Sequence, residues 1–189
     1  MILGIEIILG VIIALVLIAI IGYVIVVFNN LIRLRRNIDK AWANVEVVLK
    51  QRHDELPKLV EVCKGYMKHE KGVLEEITRL RSKWAEASTK GERIKISNKI
   101  SSVLKTLFAV VENYPKLRAN ENFLQLQARI SGLENELADR REFYNECVNT
   151  YNIKIQSIPD RFVAEIFKFK PVELFKATEE EKKDVEIKL

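Results

Sequence analysis

The sequence is short of the residues that build reaction centres. Two cysteines cannot make a disulfide scaffold, and no Cys-x-x-Cys pair occurs, which excludes a redox motif and a zinc knuckle. Of the two histidines, His69 sits in His69-Glu70-Lys71-Gly72-Val73, which lacks the second His of a helical zinc site. The seven glycines form neither a phosphate-binding loop nor a Gly-x-Ser-x-Gly nucleophile elbow. A two-iron bundle needs Glu-x-x-His pairs on two helices, and the chain has none. Positive charge is missing from one end: all 31 Lys and Arg residues follow Ile32, and Glu6 is the one acid before it. No catalytic residue, metal site or cofactor is expected, and the chain reads as not an enzyme.

What is present divides the 189 residues into two materials. At 48% apolar the chain is too hydrophobic to be disordered. From Ile7 to Phe28 no residue is charged, and at 1.5 Å per residue this run measures about 33 Å, one bilayer crossing. A cleaved signal would show a basic start, a shorter apolar core and small residues at its end; here Glu6 precedes the run and Val26, Val27 and Phe28 close it. The run therefore reads as an uncleaved anchor. Gly10 and Gly22 are too far apart for a small-xxx-small dimer face. Arg33, Arg35, Arg36 and Lys40 follow at once, so the positive-inside rule places the amino terminus outside the cell membrane and residues 29–189 in the cytoplasm. The same three arginines can also hold anionic lipid headgroups. Cys63 and Cys147 would then be free thiols.

Beyond Asn29 no stretch alternates like a strand, and the class is all-α. Leu31, Leu34, Ile38, Ala41, Val45 and Val48, with Trp42 and Leu49, form the stripe of a first helix continuing from the anchor. Pro57 would cost about 3 kcal/mol in mid-helix. With Asp54 as N-cap it falls instead in the first turn of a new helix, so a break near His53 is expected. This second helix would reach Ala87, burying Leu56, Val60, Cys63, Met67, Leu74, Ile77 and Trp84. A third carries Ile96, Ile100, Val103, Leu107, Val110 and Tyr114 and stops before Pro115. A fourth is capped by Asn120 and bears a coiled-coil-like heptad seam of Phe123, Leu126, Ile130, Leu133, Leu137, Tyr144, Cys147, Tyr151 and Ile158. These elements predict an N-terminal transmembrane helix followed by an antiparallel up-and-down four-helix bundle. One long helix kinked at Pro57, with the later helices folded back on it, is the alternative. Phe162, Val163, Ile166, Phe167 and Phe169 are expected in a short helix covering one end of the bundle, with Phe175 packing after Pro171. The resulting division is a short segment 1–6, the span 7–28, the helical domain 29–175 and a charged tail 176–189.

Some polar residues fall on apolar seams. Arg52 continues the first stripe and Arg140 a core position of the fourth; pairing with acids such as Glu136 or Glu112 would fix register, and a ligand pocket is the sharper reading. Tyr144-Asn145 recurs seven residues later as Tyr151-Asn152, a repeated packing solution at heptad spacing. Basic and aromatic residues are not interleaved as a stacking platform requires, so no nucleic-acid partner is expected.

Particular strings resemble the LemA family. They are Arg52-His53-Asp54-Glu55-Leu56-Pro57-Lys58-Leu59-Val60-Glu61 with Lys64-Gly65-Tyr66 and Lys68-His69-Glu70, then Ala109-Val110-Val111-Glu112-Asn113-Tyr114-Pro115 with Ala119-Asn120-Glu121-Asn122-Phe123, then Arg140, Tyr144-Asn145, Tyr151-Asn152 and Phe167-x-Phe169. Lys58 departs from the Asn common there in the family. The resemblance implies a prokaryotic membrane protein with one N-terminal helix, a helical domain and no established reaction. It also implies a role in organising partners at the membrane, and the function expected here is a noncatalytic tethered bundle that recruits protein partners, copies of itself included. The positions it singles out are Arg52, His53, Asp54, Pro57, His69, Glu70, Arg140, Tyr144 and Asn145. The competing class is a membrane-associated enzyme or ligand sensor in which Arg52, His53, Asp54 and Arg140 line a polar pocket.

Overall fold

A computed structural model describes residues 2–175, apart from the side chains of Ile2, Leu3 and Ile5; the tail expected at 176–189 lies outside the described residues. Among these residues there are six helices and no strand: α1 (Ile2–Lys64), α2 (Lys71–Glu86), α3 (Lys90–Val111), α4 (Pro115–Arg118), α5 (Glu121–Gln156) and α6 (Asp160–Ile166). They divide into two compact units, 2–40 with 146–172 and 41–145 with 173–175, so α1 and α5 each contribute to both.

In the first unit, α1 is long and apolar enough to cross a membrane, and nearly all of its apolar run is exposed. The exception is one stripe: Val27 and Leu31 are buried, Val24 and Phe28 partly so. The Phe28 ring lies 4.7 Å from that of Phe167 and 5.8 Å from that of Phe169, and Tyr23 donates a hydrogen bond to Asp160 at the start of α6. Lys154 on α5 also pairs with Asp160, at 2.5 Å. Val163 and Ala164 are the buried apolar residues of α6; Phe162 and Ile166, expected to pack, are exposed.

In the second unit, α1 runs through Pro57 without a break and ends at Lys64, so the break near His53 is not found; the stretch expected as one helix from there to Ala87 is the end of α1, a turn, and α2, which stops at Glu86 with Ala87 as its C-cap. Pro57 lacks the N–H that would bond the His53 carbonyl, at a cost of about 3 kcal/mol. Leu56, Leu59 and Cys63 are fully buried along the same stretch, the two leucines contributing about 1.5–3 kcal/mol each, and this offsets the lost bond. The chain turns only at 65–70 before α2. The core joins Leu56, Leu59 and Cys63 to Leu74, Ile77 and Leu80 of α2, Leu104 and Leu107 of α3, Leu117 of α4 and Phe123 and Ile130 of α5. Thr89 starts α3 with a capping box: its hydroxyl accepts from Glu92 N–H while the Glu92 carboxylate accepts from Thr89 N–H. Asn120 caps α5 as expected, its Oδ1 accepting from Phe123 N–H at 3.0 Å.

Two stripes are rotated from their expected positions. The inward face of α3 is Ile94, Ser97, Ile100, Ser101, Leu104, Leu107 and Val111, which leaves Ile96, Val103 and Val110 at its flanks. On α5 the buried series continues from Tyr144 through Val148, Tyr151 and Ile155, not through Cys147 and Ile158. At 3.6 residues per turn a strict seven-residue seam drifts around the helix, and over five heptads the facing position moves by a residue.

Candidate functional site

The polar residues singled out in the sequence do not meet. Arg52, only 1% exposed, projects from α1 onto α3, where Nη1 donates to Ser101 Oγ at 2.8 Å and Nη2 to Ser97 Oγ at 2.8 Å and to the Ser97 carbonyl at 3.3 Å. Glu134 on α5 completes the node, accepting from both Arg52 and Ser101. Both terminal nitrogens of the guanidinium thus have partners within the chain, and a buried charge so paired orders three helices at a cost in desolvation. The acid is Glu134 rather than Glu136 or Glu112. Glu136 pairs with Arg140 at 3.0 Å, where both side chains are nearly half exposed.

Arg140 therefore occupies no core position. From Leu137 the inward step is four residues, to Arg141, whose guanidinium lies 4.4 Å over the Phe175 ring. Asp54 is exposed and bridges Lys50 at 3.3 Å. His53 stacks on Trp84 of α2 with ring centroids 4.7 Å apart, and Arg93 covers Trp84 at 5.5 Å. Burial, reinforced by Arg81, pulls the His53 pKa below its ordinary value, so the ring is neutral near pH 7. Its Nδ1 is buried without a hydrogen-bond partner among the described residues.

His69 and Glu70 lie in the 65–70 turn, His69 exposed and Glu70 at the N-cap of α2 without capping it. Beside them an open groove of about 420 Å³ is lined by Lys64, Met67, Lys68, Lys71, Leu74 and Glu75. No group of three or more potential metal ligands occurs among the described residues. Burial pushes the Cys63 thiol up to about 12, and burial with the Glu146 carboxylate raises that of Cys147, so neither supplies a thiolate nucleophile.

The repeated Tyr-Asn pairs hold the chain's own backbone. In the second unit Asn145 accepts from Phe175 N–H at 2.7 Å and donates to the Phe175 carbonyl at 3.0 Å, while Tyr144 donates to the Glu173 carbonyl. In the first unit Asn152 treats Val172 the same way, at 2.9 and 2.8 Å, and Tyr151 donates to the Lys170 carbonyl. Each asparagine amide does for one residue what a neighbouring strand would do.

Sequence reasoning did not anticipate Ser97, Ser101 and Glu134 as partners of Arg52. Two serines four apart beside Ile94, Ile100 and Leu104 were the available signal.

Comparison with known proteins places the chain among relatives. The model of the LemA family matches residues 41–189. The Protein LemA of Metamycoplasma hominis is 30% identical over 159 residues, which cover 84% of this chain and 73% of that protein. Magnetosome protein MamQ 2 of Paramagnetospirillum magneticum is 36% identical over 74 residues, 39% of this chain and 27% of that protein. MamQ of Magnetospirillum gryphiswaldense is 32% identical over 74 residues, with the same coverage. None of these names carries a reaction.

Proposed function

The chain belongs to the LemA family, and from that premise we propose that it is a single-pass, membrane-anchored, noncatalytic protein whose helical domain recruits or organises protein partners at the membrane. The observation that carries this reading is α1 itself: one unbroken helix bears an exposed apolar run at its start and the core-forming residues Leu56, Leu59 and Cys63 near its end. A covalent tether is thereby also a structural helix of the domain. In this reading the amino terminus faces outward, the domain is cytoplasmic, and α1, α2, α3 and α5 pack as an antiparallel bundle. Self-association is one of the partnerships it permits; nucleic acid is not a partner.

The enzyme or sensor alternative needs Arg52, His53, Asp54 and Arg140 around one pocket. Arg52 is instead consumed by an internal ion pair, and Asp54 and Arg140 by exposed ones, which removes its support. The scaffold reading is tested by in-cell photocrosslinking from exposed positions between 52 and 70, such as Lys58, Glu61 and Lys68. Reproducible recovery of defined proteins is expected. Recovery of none above background from either membrane or cytosol overturns it.

A further inference from the structure

We propose that α6 is a second membrane contact, a short helix lying in the interface of the leaflet that the apolar run exits, with Phe162 and Ile166 inserted among the lipid acyl chains. The inference rests on the reading of α1 as a membrane span.

The argument begins with α6 itself. Phe162 and Ile166 are four apart and so share one face, with Asp160 and Ala164 on the far side and Val163 at the flank all buried. Phe162 is 59% and Ile166 70% exposed, and Ile158 just before the helix is 76% exposed. A helix that buries its small residues and presents Phe and Ile outward is inverted for water.

Its position supplies the solvent that makes this pattern sensible. Asp160 at the start of α6 takes its hydrogen bond from Tyr23, and Phe167 and Phe169 just beyond its end pack on Phe28. Tyr23 and Phe28 both belong to the uncharged run, five residues apart, or about 7.5 Å along the α1 axis. An element fastened at both levels lies as deep as the last turn and a half of the span. That is the depth, about 5–10 Å into the boundary of headgroups and acyl chains, at which interfacial helices settle. The apolar face of α6 thus continues the lipid-facing surface of α1. The exposed cations Lys168 and Lys170 follow it in the chain, Arg161 within it pairs with Glu165 at 2.7 Å, and Arg33, Arg35 and Arg36 follow the run on α1, a positive balance that suits anionic headgroups.

The test uses the full chain in vesicles of phosphatidylcholine and phosphatidylglycerol doped with a phospholipid carrying a diazirine on its acyl chain near the ester. After irradiation, lipid adducts are mapped on tryptic peptides; 162–168 contains Phe162, Ile166 and Phe167. Adducts are expected both on the span and on 162–168. The Phe162→Ser, Ile166→Ser double variant should lose those on 162–168 severalfold while keeping those on the span. Both side chains are exposed, so helicity by circular dichroism should not change. A labelled span with a bare 162–168 overturns the inference and leaves the anchor intact; absence of label from both overturns the anchor reading as well. A bare 162–168 together with disulfide-linked dimers of Ile166→Cys assigns the face to a second copy and also overturns the proposal.

Discussion

The two units differ in where they put their apolar side chains. In the second, Leu56, Leu59, Ile77, Leu107 and Phe123 are turned inward, and even an arginine is buried with both its terminal nitrogens bonded. In the first, nearly all of Ile7 through Val26 and then Phe162 and Ile166 are turned outward. A helix that hides its oils has water for a solvent, whereas one that displays them along some thirty ångströms needs lipid. On the anchor reading proposed above, the same helix, α1, meets both solvents in succession, so the contrast follows environment rather than helix-forming tendency.

The largest effect expected comes from breaking the outward pattern. Val16→Lys with Ile18→Lys places two charges near the middle of the run, each costing about 2.5–3.5 kcal/mol of insertion. The protein should move from the carbonate-resistant membrane pellet to the supernatant, while the second unit keeps its melting transition. Breaking the inward pattern costs less but strikes the fold. Glu134→Ala strands the Arg52 charge, and a loss of about 3–5 kcal/mol should appear as a lower Tm in detergent. Arg52→Leu combined with Glu134→Leu should recover much of it.

A smaller, pH-dependent effect belongs to His53. Its folded pKa lies below the unfolded value of about 6.5, so the unfolded chain takes up the proton first as pH falls. The stability present above that value declines below it and levels off once the folded ring also titrates. His53→Leu should flatten this part of the Tm-against-pH curve between pH 7 and 5. The smallest effect sharpens the contrast between the two seam arginines: Arg140→Ala should change stability by about 0–0.5 kcal/mol, since its pair with Glu136 is largely solvated.

The sequence shows most plainly what depends on long uniform patterns. Residues 7–28 announce one long apolar helix because no charge interrupts them. Errors arise where a local rule meets a tertiary one. Pro57 prices a helix break correctly for an isolated helix but not for one whose neighbours Leu56 and Leu59 are fully buried. Ser97 and Ser101 look like an outward face, and that misplaces the α3 stripe by a residue; they face inward because Arg52 needs them. Arg140 and Arg141 differ by one step of a helix whose drift over several turns a seven-residue count does not follow. The Tyr-Asn repeat is visible, yet its partner is main chain, and main chain has no letter in a sequence.

That last property has an evolutionary edge. Asn145 and Asn152 grip Phe175 and Val172 only by groups common to nearly every amino acid, so the clasps themselves do not read the side chains of the segment they hold. Position 172 can drift among residues of any chemistry that its surroundings accept, with one exception. Proline there would remove the single proton that Asn152 receives, and in a lineage of such chains it should be the residue never sampled at that site.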